Sequence, residues 1–328
     1  MRAIGYSQFG TASDVLALHD VAMPEPAAGE VRVKLAYSGV NPSDAKARSG
    51  TRPGVLKPAY ELVIPHSDGA GVIDAVGAGV DGARIGERVW IWNGQWQRAH
   101  GTAAEAIVLP SEQAVALPDN VSFEVGATLG IPGLTAAHTM FGGGDIAGQI
   151  LLVSGGAGAV GHNAVQLAKW GGATVIATAS PSAFERVKAA GADHVLDYSA
   201  PDLAAQILAL SKGVGVDRAV EVEFGANAAL LGEVVRANGV IAAYGSQIDM
   251  TPTLPFGPFL FKAITIDITL VYILEPALRA VAFEKLHSAL SLGALKPAIH
   301  DILPLEDAAQ AHERVMTAGR SGAVLLKI

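Results

Sequence analysis

The sequence predicts an α/β fold in which a β-rich region is joined to a doubly wound parallel sheet. Three observations carry that prediction. Residues 1 to about 122 hold short apolar segments divided by Gly, Pro and Asp turn signals. From residue 123 onward, apolar strands alternate with helical patterns across short connections, as parallel sheets with helices on both faces require. The first strand-to-helix passage of that series is a glycine-rich turn, "SGGAGAVG", at 154–161.

The chain has 328 residues, half of them hydrophobic and 16% charged, enough to build two domains with sizeable cores. Cysteine is absent, which excludes disulfides and thiolate-bound metal. A formal charge of −8 without a Lys/Arg cluster argues against nucleic acid as a partner. No uninterrupted apolar run reaches the roughly 20 residues of a membrane helix, and "MRAIGYSQFGTASD" lacks the basic-then-apolar layout of a leader. A cytoplasmic protein is the expectation.

In the β-rich part the expected strands are "VRVKLAYSGV", "GAGVIDAVG", "ERVWIW" and "AEAIVLP". The alternating part begins with the strand "QILLVSG", the helix "AVGHNAVQLAKWG", the strand "ATVIATAS" and the helix "PSAFERVKAAG". It continues through the strand "HVLDY", a helix near 202–211, the strand "DRAVEV", a helix at 226–237 and the strand "GVIAAYG". After about 262 a further strand, "AITIDITLVYIL", leads into two helices and a last strand, "GAVLLKI". In the first of these Ile264, Ile266, Ile268 and Leu270 alternate with Thr265, Asp267 and Thr269. Such alternation suits a strand with one wetter face, either a dimerising sheet edge or an ordinary edge.

Glycines between a strand and a helix permit a tight turn and close approach of backbone to a pyrophosphate. The helix N-terminus then offers unpaired N–H groups to the anion. Gly156, Gly158 and Gly161 are the residues expected beneath the phosphates, although glycine-rich turns also serve plain packing. No Lys-Ser/Thr pair closes the motif, which disfavours a P-loop and ATP. The choice between dinucleotides is made about 20 residues on, at the end of the second strand. There "VIATASPSAFER" carries no acid before Glu185. A carboxylate at that point would bind a ribose 2′-hydroxyl and repel a 2′-phosphate. Its absence, with Ser180, Ser182 and Arg186 nearby, favours NADPH as the cofactor. Plain helix-capping serines are compatible with the same residues.

Taken together, "GVNPSDAKARSG", "GAGVIDAVGAGV", "GERVW", "LGIPGLTA", "SGGAGAVGHNAVQLAK" and "LKPAIHDILPLEDAAQAHERV" resemble the zinc-independent quinone oxidoreductases of the zeta-crystallin branch of the medium-chain dehydrogenase/reductase superfamily. The resemblance covers almost the whole chain in the family's order. It implies a Rossmann domain, here 123–262, inserted in a GroES-like catalytic domain formed by 1–122 and 263–328. It also implies NADPH as reductant, a quinone or related α,β-unsaturated carbonyl as acceptor, and a homodimer or homotetramer.

By the same resemblance, Asn41 and Thr135 would meet the nicotinamide end of the cofactor, and Gly158, Ala159, Val160 and Gly161 its pyrophosphate. Ser180 and Tyr198 would lie near the 2′-phosphate, and Gly245 and Ser246 would close over the middle of the dinucleotide. Asn41 also reads as a turn former before Pro42, and Tyr198 as a capping or packing residue. Asp44 is the nearest acid to Asn41 and either joins the chemistry or orients the loop. The zinc ligands of metal-dependent relatives are replaced by Asn41 and Ser67, and His66 stands one residue off, so no metal is expected.

Some positions depart from the family. Ala159 replaces a second consecutive glycine, Arg52 a tyrosine, His66 the glycine of "PGSD", and Ala323 a lysine. Arg52 and His66 are expected to edge the substrate cleft, with a solvated loop charge as the other reading of Arg52. Of the four tryptophans, Trp90 and Trp92 share one strand face and read as core. Trp96, past the Asn93-Gly94 turn, is the candidate for stacking on a flat acceptor. An NADPH-dependent quinone or enone reductase is the leading reading. An enoyl-thioester reductase, an alcohol dehydrogenase and a non-catalytic dinucleotide-binding structural protein remain alternatives.

Overall fold

A computed structural model describes residues 1–51 and 54–328. The chain forms two compact units, Met1–Pro132 with Pro297–Ile328, and Gly133–Lys296. The sequence placed the joins at 122/123 and 262/263. In the structure 123–132 group with the first unit and 263–296 with the second.

The first unit opens with β1 (Arg2–Gly5), β2 (Ala17–Asp20), β3 (Glu30–Val40), β4 (Asp68–Val76), β5 (Arg88–Ile91), β6 (Ala106–Pro110) and β7 (Ala114–Ala116). β3 organises the sheet: one edge pairs with β4 along its length, while its first half pairs with β6 on the other edge. Val31, Val33, Ile73, Val89, Ile91, Ile107 and Leu109 from these strands are buried in one cluster, consistent with alternating inward positions. The short helix Phe123–Gly126 belongs here by close contact: a Cβ added at Gly39 would stand 2.2 Å from the Ala127 carbonyl oxygen.

The second unit carries β8 (Ile150–Val153), β9 (Thr174–Ala179), β10 (His194–Asp197), β11 (Val216–Glu221), β12 (Val235–Ala243) and β13 (Thr265–Ile268). All six run parallel in the order β10-β9-β8-β11-β12-β13. This is the doubly wound dinucleotide-binding order, with its topological switch between β8 and β11. Leu152, Ile176, Ile207, Ala219, Leu231 and Ile241 are central to its core.

β13 accounts for the grouping of 263–296. Its register, Val240↔Thr265 through Ala243↔Ile268, ties it to the parallel sheet. The long strand expected at 263–274 is only four residues and passes into a tight turn at Val271–Ile273. Ile264 and Ile266 pack inward, but Thr269 is buried after them and its amide bonds to the Ala243 carbonyl. Ile268 and Leu270 consequently face outward.

The chain returns to the first unit through β14 (Ile299–Pro304), which the sequence did not suggest, and β15 (Ala323–Lys327). β15 pairs with the second half of β3, beyond the stretch used by β6. Trp90 and Trp92 are buried, as their shared strand face suggested. No helix among the described residues is long and apolar enough to cross a membrane.

Candidate active site

The glycine turn leaves β8 at the switch point. Gly155 takes φ +67°, a left-handed conformation that favours glycine. The amide of Gly155 donates to Thr178 Oγ1 at 3.2 Å and that of Gly156 to the Thr178 carbonyl at 2.9 Å, stapling the turn to β9. Gly158 caps the helix Ala159–Trp170, whose first-turn amides have no acceptor within the helix.

The three glycines have different work. A Cβ at Gly161 would lie 2.2 Å from the Gly155 carbonyl oxygen, and one at Gly156 would lie 3.0 Å from Ala177 Cβ. Both serve close packing of the turn. At Gly158 an added Cβ meets only the Gly155 oxygen, at 3.5 Å, so the protein itself leaves that face open.

Around this turn the sheet's carboxyl ends bring several expected residues together. Arg186 Nη2 donates to the Ala157 carbonyl at 3.1 Å, while its buried Nε has no hydrogen-bond partner. Ser180 follows β9, with its hydroxyl 3.1 Å from that of Ser182. Tyr198 follows β10; its amide reaches the Ala179 carbonyl at 3.4 Å and its side chain is exposed. Gly245 and Ser246 follow β12, and Ser246 Oγ accepts from the Gly225 amide at 2.9 Å. An unpaired guanidinium N–H, free helix-start amides and an open Gly158 face suit a phosphate-bearing dinucleotide. Thr135 is buried in the helix Leu134–Phe141, its carbonyl accepting from Thr139 Oγ1 at 2.8 Å.

A carboxylate that the sequence reading passed over sits at the switch point. Ser154 Oγ donates to Glu221 Oε2 at 2.6 Å, joining the ends of β8 and β11. Asn227 Nδ2 and the Glu223 amide donate to Glu221 Oε1 at 3.0 and 2.5 Å. Burial pushes this carboxyl above the usual range. The acid of "DRAVEV" was the signal, hidden among strand residues.

In the first unit, Asn41 precedes the helix Pro42–Ser49, and Asp44 Oδ2 accepts from the Asn41 amide at 2.8 Å. Asp44 thus orients the loop. Asn41 Nδ2 donates to Asp68 Oδ2 at 2.8 Å, and Asp68 is fully buried. Burial, which outweighs the Asn41 bond, pushes the Asp68 carboxyl well above the usual range, and nearby Asp44 adds to the rise. The Ile131 amide favours the charged form, yet no bond of good geometry reaches Oδ1.

His66 does not edge a cleft. It is fully buried, with Nδ1 2.9 Å from Ser38 Oγ and Nε2 2.8 Å from His312 Nε2. Bonding at both nitrogens holds it inside, at a left-handed φ of 78°. Arg52 lies outside the described residues. Trp96 is half-buried in a loop that Gly94 ties to Ser67 through a 2.9 Å backbone bond. No group of three or more His, Cys, Asp or Glu side chains able to hold a metal occurs among the described residues.

The histidine pair has a stability consequence. Burial holds His312 down to about 3 and His66 well below its ordinary value. The unfolded chain therefore takes up protons below about pH 6.5 that the folded chain refuses, and stability falls from there toward about pH 3. Buried Asp68 acts in the opposite sense but is common to wild type and variant. In His66→Gly, the stability gap to wild type is expected to close by about 2 kcal/mol between pH 7 and pH 5, at about 1.4 kcal/mol per pH unit for the removed group. Urea unfolding at both pH values measures it; a gap independent of pH contradicts the assignment.

Comparison with known proteins agrees with this construction. Residues 27–119 match the alcohol dehydrogenase GroES-like domain family and residues 159–290 the zinc-binding dehydrogenase family. The rat quinone oxidoreductase is 30% identical over 99% of this chain and 97% of its own. A spinach chloroplastic quinone-oxidoreductase homolog is 31% identical over 100% and 98%. Among solved structures, an NAD-dependent alcohol dehydrogenase superimposes with a TM-score of 0.88 at 31% identity, both chains covered in full. A mycobacterial protein complexed with NADPH gives 0.87 at 27%, again over the full length of both. The chain belongs to the zeta-crystallin-like quinone oxidoreductases of the medium-chain dehydrogenase/reductase superfamily.

Proposed function

We propose that this protein is an NADPH-dependent, metal-free reductase of quinones or related α,β-unsaturated carbonyls. One observation carries the cofactor reading. The end of β9 presents Ser180 instead of a carboxylate, with Arg186 and Tyr198 on the adjoining segments. A 2′-phosphate would meet hydroxyls and a guanidinium there, with no carboxylate on β9 itself; Asp197, which pairs with Ala179 on the adjoining strand, turns Oδ1 to the Ser199 amide and hydroxyl. The likeness to quinone oxidoreductases and to a protein solved with NADPH supports the reading. The likeness to an NAD-dependent enzyme is outweighed by the missing acid.

Reduced nicotinamide supplies the hydride when bound. The chain's own contribution is placement. The helix-start amides and Gly158 hold the pyrophosphate, Arg186 and Ser180 the 2′-phosphate, and Thr135, Gly245 and Ser246 the remainder of the dinucleotide. Asn41, held by Asp68 and Asp44, lies at the nicotinamide end and orients the acceptor. Arg52 and Trp96 are the acceptor contacts in this reading. Positioning of this kind lowers barriers by several kcal/mol, and no Lewis acid is required. A cytoplasmic location and a homodimer or homotetramer go with it, the exposed Ile268 and Ile273 beside β13 giving an apolar edge for association.

Ser180→Asp tests the phosphate assignment. The wild-type protein is expected to bind NADPH at least about tenfold more tightly than NADH, and the variant to lose that preference, one opposed charge contact being worth about 1.4 kcal/mol. Fluorescence titration with each nucleotide measures it. Equal NADPH affinity in both proteins places the phosphate elsewhere.

A further inference from the structure

The two acids of "EVEFG", Glu221 and Glu223, serve different neighbours at the carboxyl end of β11. Glu221 ties that end to β8 through Ser154. Glu223 reaches instead to the loop that follows β12, the strand on the other side of β11. Its Oε2 accepts from the Gln247 amide at 2.9 Å and its Oε1 from the Ile248 amide at 2.8 Å. Two consecutive amides aimed at one carboxylate form an anion-holding nest, filled here by the protein's own side chain.

The tie is reciprocal. Glu223 stands at the N-cap of the helix Phe224–Val234 but makes no side-chain bond to that helix. Ser246, from the loop, supplies the cap, its Oγ accepting from the Gly225 amide at 2.9 Å. Ser246 spends its one proton on the Asp249 carbonyl, so the 3.5 Å approach of its Oγ to Glu223 Oε1 adds no further bond. The two segments also interlock as backbone. A Cβ at Gly245 would stand 2.5 Å from the Val222 carbonyl oxygen, and one at Gly225 would stand 2.0 Å from that of Asp249. Val222 Cγ1 in turn lies 3.2 Å from a Cβ built at Gly155, in the glycine turn. Segment 222–225 thus touches both the glycine turn and the 245–249 loop, at the strand ends where such sheets bind ligands.

Apolar packing contributes little to this loop, since Ile248 and Met250 are 78% and 72% exposed. Its place depends on the polar ties, and a loop held by few contacts opens readily when one is removed. We propose that Glu223 is a positioning residue of the dinucleotide site: its carboxylate fixes the 245–249 loop, and the fixed loop closes over the middle of NADPH. The proposal rests on the NADPH reading of Gly245 and Ser246. In this role the carboxylate touches neither dinucleotide nor acceptor. Its loss weakens nucleotide binding and leaves hydride transfer from the bound nucleotide unaltered.

Deuterium exchange of the peptide 245–251 in nucleotide-free protein, beside fluorescence titration with NADPH, tests the proposal. In Glu223→Ala the Gln247 and Ile248 amides are expected to exchange at least about tenfold faster than in wild type, and NADPH to bind at least about tenfold more weakly. Glu223→Gln keeps an acceptor oxygen for one of the two amides, so both effects should be smaller; it carries the test if Glu223→Ala does not fold. With a quinone acceptor, KM for NADPH should rise in step with its Kd while kcat stays within about twofold of wild type. A kcat that falls as far as NADPH affinity contradicts the positioning role. Unchanged exchange in both variants overturns the tie, and faster exchange with unchanged NADPH affinity overturns its link to the dinucleotide. Wild-type protein that binds no NADPH overturns the cofactor reading and this proposal with it; the exchange, measured without nucleotide, tells the two failures apart.

Discussion

Gly161→Ala is expected to lose both stability and dinucleotide binding. The added methyl would stand 2.2 Å from the Gly155 carbonyl oxygen and 2.8 Å from its carbon, and both are backbone. Neither can swing aside, so the turn and the start of the helix Ala159–Trp170 must separate. Overpacking of this kind costs about 1–3 kcal/mol, and it displaces the helix-start amides that are proposed to hold the pyrophosphate. Thermal unfolding should show a melting temperature several degrees lower, and NADPH titration an affinity reduced about a hundredfold. Gly158→Ala is the informative companion. Gly158 has φ −74° and ψ 169°, which alanine adopts freely, and its Cβ meets nothing closer than 3.5 Å. Its melting temperature should match wild type while NADPH affinity falls at least about tenfold, because the proposed pyrophosphate position uses that space. Full NADPH affinity in Gly158→Ala contradicts the placement of the phosphates.

Asn41→Ala carries the second large effect. Removal of Nδ2 takes away the hydrogen bond to Asp68 Oδ2 and leaves a fully buried carboxyl unsupported. The Asp68 pKa, already raised by burial, moves further up, and stability falls by about 1–3 kcal/mol. With Asn41 orienting the acceptor, kcat/KM for a quinone should fall about a hundredfold, or about 2.7 kcal/mol. Asp68→Asn separates the two contributions. It keeps an oxygen to accept from Asn41 Nδ2 and removes the ionisable group. Steady-state rates close to wild type in Asp68→Asn, beside a large loss in Asn41→Ala, identify Asp68 as a positioning residue. Wild-type rates in Asn41→Ala contradict the role given to Asn41.

The parallel sheet was readable because its strands are continuous apolar runs divided by helical patterns, and a glycine turn marks where the first helix starts. Gly156, Gly158 and Gly161 follow from that local pattern, and Ser180 from its distance to it. Other features depend on residues far apart in the chain. His66 pairs with His312 across 246 positions, and no spacing rule connects them. His66 also holds a left-handed φ of 78°, a conformation that glycine adopts more readily. Asp68 opens β4 beside an apolar run, so its burial against Asn41 is a tertiary fact. β13 misled because alternation in 264–270 holds for two isoleucines and then reverses at Thr269, whose amide joins the Ala243 carbonyl. The pairing of β12 with β13, which groups 265–268 with the parallel sheet, is likewise set by the sheet and leaves no compositional mark.

The most direct measurement is NADPH oxidation by the purified protein in EDTA, with 1,4-benzoquinone, with a simple enone and without acceptor, repeated with NADH. Quinone- or enone-dependent oxidation that strongly favours NADPH is the predicted result. Preference for NADH, or tight NADPH binding without turnover on either acceptor, contradicts the account and turns attention to a thioester substrate or a non-catalytic role.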